Sequence, residues 1–523
     1  MAAQPYVGID LGTTNSVVAH VDSHGRPVAL ANSEGDLLTP SVVYFETEGP
    51  AIIGREAIKA GLVDPANCIE AVKRDMGKEF CHKQVRGKKM PPAAISGVIL
   101  HRLVKDAAAR TGPIERAVVT VPAYFNEPRR RSTVDAGRMS GLKEIELLNE
   151  PTAAALAFGF ELGAFTEDGK LATKETKVPG QYTLLVYDLG GGTFDVTLMR
   201  IKDQHFQALV CDGDVQLGGR DWDQRILDYV CDCFINEYSV DPRTDARAMA
   251  EFRLQAEEIK RTLSVRQKSL LRLQFGEHKL SIELAREDLL ALTADLLQRT
   301  RMTCELALMD AKTTWDKVDA VLLVGGASRM PMVRELLREL SGMEPNHTVS
   351  PDQAVAQGAA LYAQILWGEG EKLKDEVAAP RKKVRITNVN SHSLGIVGRD
   401  RKTNARRVSV LIPKNTPIPQ TNRKTFRTRV AGQDKIYIQI VEGESSNPDE
   451  CTVIGECRLV DLPELPANHP VQVAFAYRRD GRIFVEAEVE GHQPFQVEID
   501  RNRKIAAAEM ENWASELIGD EDE

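Results

Sequence analysis

The sequence predicts a two-lobed α/β domain with an internal duplication, followed by an antiparallel β-sandwich and a short C-terminal helix. The first observation behind this is a pattern that returns: YVGIDLGTTNSVVA at 6–19 comes back in outline as LVYDLGGGTFDVTL at 185–198. Both read apolar strand, Asp, glycine-rich turn with Thr, apolar strand. RAVVTVP at 116–122 is echoed in the same order by DAVLLVGG at 319–326. A recurring supersecondary unit implies two lobes of one design. The second observation is that helical patterns lie between these strands, and such alternation predicts sheets covered by helices. The third is a change of composition after residue 370, beyond which the chain breaks into short alternating runs.

In chain order, helices are expected over 129–140, 151–160, 221–238, 247–263 and 286–310, with a last one over 352–367 ending near Gly368. Pro151 and Pro331 fall where a helix starts, a position at which the missing N–H costs nothing. Residues 371–383 form a polar stretch with Pro380 and the basic run Arg381, Lys382 and Lys383, and mark a boundary. Strands are then expected over 407–412, 424–430, 435–441, 451–459, 471–477, 482–489 and 494–499. Asp480-Gly481 is a tight hairpin turn between two of them, and the even spacing predicts an antiparallel sandwich. After Arg501, Met510, Trp513 and Leu517 recur at helical spacing, which predicts a short amphipathic helix docking on the sandwich before an acidic end. The expected division is a two-lobed domain over 1–380, a linker over 381–391, a sandwich over 392–501 and a helix with an acidic tail over 502–523.

Several function classes are excluded on composition. Across 523 residues, 42% are hydrophobic and 27% charged, the mixture of a globular chain, and this length calls for two or three folded units. The formal charge of -9 gives no general attraction to nucleic acid or anionic lipid. No apolar run approaches the roughly 18 residues that span a bilayer, and residues 1–5 lack a secretory signal, so a cytoplasmic protein with no membrane partner is expected. The eight cysteines are scattered; Cys231 and Cys233 point to different faces of a helix, and no Cys or His metal site is expected.

The chemistry lies in the repeated turns. A glycine-rich turn lets backbone N–H groups approach an oligophosphate, because a Cβ would obstruct it. Alone, Asp10 to Thr14 or Gly190 to Gly192 is ordinarily a plain hairpin. Two such turns, each preceded by Asp and carrying Thr, read together as hairpins gripping one phosphate chain from opposite sides. Asp10 and Asp188 would then bring carboxylates to a triphosphate, which is tolerable with Mg²⁺ held by oxygen and water ligands. The alternative is that each Asp closes its own turn.

The chain resembles the DnaK-type, 70-kDa heat-shock chaperone family, within the actin, sugar-kinase and heat-shock ATPase superfamily. The resemblance rests on IDLGTTNS at 9–16, VPAYFNEPRR at 121–130, NEPTAAALAFG at 149–159, YDLGGGTFDV at 187–196 and LVGGASRMPMV at 323–333. It implies an actin-like ATPase that hydrolyses ATP to ADP and phosphate. It further implies that Gly12, Thr13, Thr14 and Asn15 bind phosphate in the first loop, and Gly190, Gly191, Gly192 and Thr193 in the second. Lys73, in VKR at 72–74, falls at the catalytic lysine; without the family it would read as a surface lysine. Glu150 becomes a cleft residue that joins Asp10 and Asp188 around Mg²⁺, and Pro122 and Arg130 match the relay to the second domain. Glu257, Lys260, Arg261 and Ser264 share one helix face and would build the adenosine pocket, closed by Gly325, Gly326, Ser328, Arg329 and Asp352.

The C-terminal part is similar to the family's peptide-binding sandwich through SLGI at 393–396, IPKNTPIP at 412–419 and IVEGE at 440–444. Leu394, Ile396, Phe426, Ile436 and Ile438 then fall where an extended apolar segment is held, although alternating apolar residues are also ordinary core. The implied function is an ATP-driven chaperone for unfolded polypeptides, aided by a J-domain co-chaperone and a nucleotide-exchange factor. The alternative is a nucleotide-switched module for one dedicated partner. Departures from the pattern are the linker VRITNV at 384–389, where Asn388 stands for the family's acid, a short stretch between Lys73 and Pro122, and room for at most the first helix of a lid. Val384 and Ile386, on one side of a strand, would let the linker add to a sheet edge.

Overall fold

Tyr6–Asp10 is apolar on both faces and becomes the centre of the first lobe's sheet, antiparallel to Asn15–Val21 and parallel to Arg116–Val121. Glu144–Asn149 and Pro27–Leu30 complete its edges. The same plan recurs in the second lobe, where Tyr182–Leu189 lies antiparallel to Phe194–Lys202 and parallel to Ala320–Val324. The duplication read from the sequence is therefore a duplication of topology. This computed structural model describes residues 5–165, 180–368, 384–400, 402–432, 435–460, 462, 464–478, 483–489, 495–498 and 507–519.

Helices α1 (Arg55–Val63), α2 (Pro92–Thr111), α3 (Glu127–Met139) and α4 (Glu150–Glu161) belong to the first lobe. The second carries α5 (Gly219–Tyr238), α6 (Ala246–Val265), α7 (Arg286–Leu292), α8 (Ala294–Asp310) and α9 (Pro331–Ser341). Proline stands in the first turn of α4 and α9, as expected. The single helix expected over 286–310 is two, because Thr293 leaves the helical backbone (φ -124°, ψ 13°) and separates α7 from α8. Helix α10 (Ala354–Trp367) crosses α4 in the seam between the lobes. The crossing is close because it is built from small residues: a Cβ on Gly358 would sit 1.7 Å from the Ala153 carbonyl oxygen.

The C-terminal strands form two four-stranded antiparallel sheets. One runs in the order Arg406–Ile412, Leu394–Arg399, Ile436–Glu442, Thr452–Leu459. The other runs Gln420–Arg427, Pro470–Tyr477, Ile483–Val489, Phe495–Glu498. Alternate residues such as Ile438, Ile440, Val473, Phe475 and Val485 fill the core between them. The Asp480-Gly481 turn and the basic run 381–383 lie outside the described residues, but Tyr477 and Ile483 pair across that turn as a hairpin requires.

Arg385–Val389 lies parallel to His205–Asp214 and, on its other side, antiparallel to Pro417–Ile418. The second lobe's sheet thus continues through the expected linker into the sandwich. Val384 is buried and Ile386 half-buried against the seam core, the side on which the sequence puts them.

A second expectation is corrected. Helix α11 (Ala507–Ile518) packs on α2 and α3 of the first lobe rather than on the sandwich. Met510 and Leu517 are buried there and Trp513 half-buried, Leu517 accepts a backbone hydrogen bond from Ala51 at 3.0 Å, and Glu516 pairs with Lys88 at 2.5 Å. The reason is α2, which is apolar on nearly every side from Pro92 to Leu100 and needs cover on its outer flank. An amphipathic stripe predicts a covering surface but does not identify it.

Candidate functional site: a cleft between the lobes

The two glycine-rich turns meet face to face. A Cβ on Gly191 would lie 2.0 Å from Thr14 Oγ1, and one on Gly192 would lie 2.4 Å from a Thr13 methyl, so only glycine permits the approach. Gly12 N–H donates to Ser16 Oγ at 3.1 Å, and Asn15 opens the second strand of its hairpin. In the other turn Gly190 N–H donates to the Thr193 carbonyl at 3.0 Å, while the Gly190 and Gly191 carbonyls accept from Gly219 and Arg220 N–H, both at 2.9 Å. Thr13 and Thr193 are buried.

Lys73 is buried, which sets aside its reading as a surface lysine, and its ammonium donates to Glu150 Oε1 at 2.5 Å. Burial alone would lower the Lys73 pKa, but Glu150 and Asp10 outweigh it and hold it above its ordinary value. Asp10 accepts from Thr120 Oγ1 at 3.3 Å. Burial pushes its carboxyl up to about 7, Glu150 adding to the rise and Lys73 opposing it. Burial, then Glu150, Asp195 and Asp10, hold Asp188 well above the carboxylate range. Asp195, which the sequence reading passed over although it stands inside a quoted motif, is likewise raised to about 7 by burial and Glu150, and it accepts from Ala123 N–H at 2.8 Å. Four acids thus face one ammonium, an electrostatic deficit that a cation would relieve. Among the described residues no three acid, His or Cys side chains could jointly hold a metal ion.

The adenosine-side candidates divide. Lys260 is buried and turns to Asp223 Oδ1 at 2.7 Å and the Gly219 carbonyl at 2.9 Å, beside the second turn. Glu257 and Arg261 pair with each other at 2.6 Å along α6, and Ser264 Oγ bonds the Lys260 carbonyl at 2.9 Å. Opposite, Gly325 lies against Leu189 and Asp188, Ser328 Oγ donates to its carbonyl at 2.7 Å, and Arg329 pairs with Asp352 at 2.6 Å beside Gly326.

Pro122 is buried at the head of the loop leading to α3, and Arg130 ties that loop together. Its guanidinium donates to the Phe125 carbonyl at 3.0 Å, the Ala123 carbonyl at 3.3 Å and Asn149 Oδ1 at 2.8 Å, immediately before Glu150. The sandwich rests on the same loop. Glu442 Oε2 accepts from Glu127 N–H at 2.9 Å, and the His392 ring packs on Tyr124 at 4.4 Å. Nearby, Lys414 pairs with Asp212 at 3.1 Å and Asn415 Oδ1 accepts from Cys211 N–H at 2.9 Å. On the linker strand, Thr152 Oγ1 donates to Asn388 Oδ1 at 2.9 Å. In the sandwich, Leu394, Ile396 and Ile438 are buried in the core between the sheets, and Phe426 and Ile436 are half-buried at its border.

The Hsp70 protein family matches residues 6–88 and 81–521. The chain is 37% identical to a chaperone protein dnaK3 of Thermosynechococcus vestitus, over 92% of its own length and 70% of the relative's. It is 38% identical to the chaperone protein DnaK of Thermotoga neapolitana and 37% identical to that of Thermus thermophilus, in each case over 92% of this chain and 78% of the relative. No helix among the described residues is long and apolar enough to cross a membrane. With two lobes of one topology facing each other across paired glycine turns, and a match along nearly the whole sequence, the chain belongs to the Hsp70 family of chaperone ATPases.

Proposed function

We propose that the chain is a polypeptide-binding chaperone of the cytoplasm, in which ATP hydrolysis over 1–380 governs the hold of the sandwich over 392–501 on extended apolar segments, with 381–391 as linker and 502–523 as a helix and acidic tail. In this reading Gly12, Thr13, Thr14 and Asn15 grip the phosphates from one side and Gly190, Gly191, Gly192 and Thr193 from the other. Lys73 stabilises charge on the transferring phosphoryl group while water attacks, so catalysis is positioning and charge stabilisation, with no covalent enzyme intermediate. Asp10, Asp188 and Glu150 would hold Mg²⁺ through water, and that ion would offset the phosphate charge. Glu257, Lys260, Arg261 and Ser264, with Gly325, Gly326, Ser328, Arg329 and Asp352, enclose the adenosine. A J-domain co-chaperone and a nucleotide-exchange factor complete the cycle.

The observation that carries this reading is the chain of contacts from Lys73 through Glu150, Asn149 and Arg130 to the loop under the sandwich, parallel to the sheet that runs through the linker strand. A labelled, arginine-flanked apolar peptide tests it. Tight binding with ADP and release with ATP is the expected result. The burial of Leu394, Ile396 and Ile438 favours a second reading, a nucleotide-switched module for one dedicated partner. No peptide binding in either nucleotide state, with ATP hydrolysis intact, would decide for it.

A further inference from the structure

The sandwich carries a concentration of positive charge that the nucleotide cleft does not use. Between residues 399 and 429 the sequence has ten Lys and Arg against a single acid, Asp400, within a chain whose net charge is -9. Strand pairing brings much of it to one end of the sandwich. Arg399 closes the strand Leu394–Arg399 and stands opposite Arg406, where the next strand begins, so 400–405 is the turn between them. The antiparallel neighbour Ile436–Glu442 starts at this same end, since Ile396 lies opposite Ile440, and Arg406 Nη2 reaches Gln439 Oε1 at 3.2 Å. In the other sheet Gln420–Arg427 runs toward Ile436, and so delivers Arg427 and Arg429 there as well. Arg399, Lys402, Arg406, Arg407, Arg427 and Arg429 are all exposed, and they share this end with Phe426 and Ile436, half-buried at the border of the core.

The arrangement costs the fold something. Arg399 and Arg406 are directly opposed cross-strand partners, and like charges so placed repel. Local groups answer them only in part. Arg399 Nη1 donates to the Asn404 carbonyl at 3.0 Å and Arg427 Nη1 to the Asn468 carbonyl at 2.9 Å, both neutral acceptors. Asp400 turns its carboxylate back on its own turn, accepting from the Thr403 and Lys402 N–H groups, both at 2.9 Å, and these bonds hold it below its ordinary pKa. Asp449 meets Arg406 at 3.3 Å, but the two side chains are 77% and 48% exposed, so water and salt screen the pair. Glu464 stands in the adjoining loop, which Gly432 N–H joins through the Leu465 carbonyl at 2.9 Å. Positive charge remains in excess.

We infer that this basic end of the sandwich selects extended segments whose apolar core is flanked by aspartate or glutamate. The inference rests on the peptide-binding reading above and names the class of sequence it favours. A segment seated against Phe426 and Ile436 brings its flanking residues within reach of the long side chains of the two turns. Complementary charge there discriminates among segments that share an apolar core. A polynucleotide is the poorer occupant: the chain as a whole repels a polyanion, whereas a short segment with a few acids meets only this local field.

The test is fluorescence anisotropy of labelled peptides on the full chain with ADP. The peptides share one apolar core and differ in their flanks, which are aspartate, serine or arginine. The aspartate-flanked peptide should bind about tenfold more tightly than the arginine-flanked one at low salt, and the gap should close as salt is added. The arginine-flanked peptide still binds through its core. Arg407→Glu combined with Arg427→Glu should erase or invert the order of the charged flanks, while the serine-flanked peptide and melting curves report on the fold. If that variant melts early, Lys402→Glu in the exposed turn shifts the order the same way by a smaller factor. Equal affinity for the aspartate and arginine flanks, a preference for arginine, or a preference that salt and the charge reversals leave intact overturns the inference. So does a single-stranded thymidine oligonucleotide that displaces the aspartate-flanked peptide at lower concentration than unlabelled peptide does, which would assign this end to nucleic acid. If none of the three peptides binds in either nucleotide state, the peptide-binding reading itself fails.

Discussion

Lys73 is the residue on which most of the site's electrostatics converge, since its ammonium is set among Asp10, Glu150, Asp188 and Asp195. Lys73→Ala leaves ATP binding within a few-fold, because that is spread over many backbone donors, and lowers hydrolysis at least about 100-fold, the usual loss of about 2.7–4 kcal/mol for a transition-state donor. Single-turnover hydrolysis at the unaltered rate would refute the role. Asp10 gives a prediction about stability. Its folded pKa of about 7 lies above its ordinary value, so the folded, nucleotide-free state binds the proton more tightly than the unfolded one. Its contribution to stability is fully present at low pH and is lost as pH rises from about 4 through about 7. Asp10→Asn should therefore raise the melting temperature of the nucleotide-free protein at pH 8, change it little at pH 4 and lower hydrolysis; thermal melts at both pH values decide. Much of this was legible in the sequence, because the paired turns and Lys73 lie in short motifs. The ion pair beside it was not: Arg220 Nη2 donates to Glu70 Oε2 at 2.8 Å although the two stand 150 residues apart, and nothing local in either stretch announces the other.

At the scale of elements, sequence periodicity located the stripe of α11 but not the helix that it covers. Helix α2 went unread because its buried residues run without a gap from Pro92 to Leu100, which erases the amphipathic period. The stripe of α11 was read, yet its docking surface was misplaced, because α2's demand for cover shows only in three dimensions. Chain ending at residue 506 should therefore destabilise the first lobe, not the sandwich. Burying a large apolar side chain is worth about 1.5–3 kcal/mol, so losing Met510 and Leu517 removes about 3–6 kcal/mol as an upper bound. Hydrogen exchange locates the effect: faster exchange in α2 and α3 is expected, and faster exchange confined to the sandwich would contradict the packing. The linker strand gives a second prediction. Asn388→Asp offers Thr152 the same acceptor with a charge, a stronger hydrogen bond to the first turn of the helix that carries Glu150. Peptide should then stimulate hydrolysis more strongly than in the unaltered chain; equal stimulation would show that the hydrogen bond does not limit coupling.

Over the whole molecule, the two lobes and the sandwich are connected by continuous structure: a close helix crossing at the seam, a sheet through the linker, and a loop shared with the sandwich. Where the sandwich meets that loop, a carboxylate from one folded unit lies against a helix start in another, and this makes docking a protonation reaction. Burial pushes Glu442 up to about 8, with Arg130 only partly opposing it, so the docked form carries a proton that an exposed glutamate near 4.5 would release. Between those limits docking takes up close to one proton, and it is favoured at low pH and weakened as pH rises through about 8. Glu442→Gln keeps an acceptor for the Glu127 amide and removes the titration. Calorimetry in buffers of different ionisation enthalpy should register proton release when the sandwich parts from the lobes at pH 7, and none from this position in the Gln variant; equal release from both chains would remove Glu442 from the account. A cell's internal pH would then act on the same equilibrium that nucleotide does, with hydrogen ion as a ligand of the closed assembly.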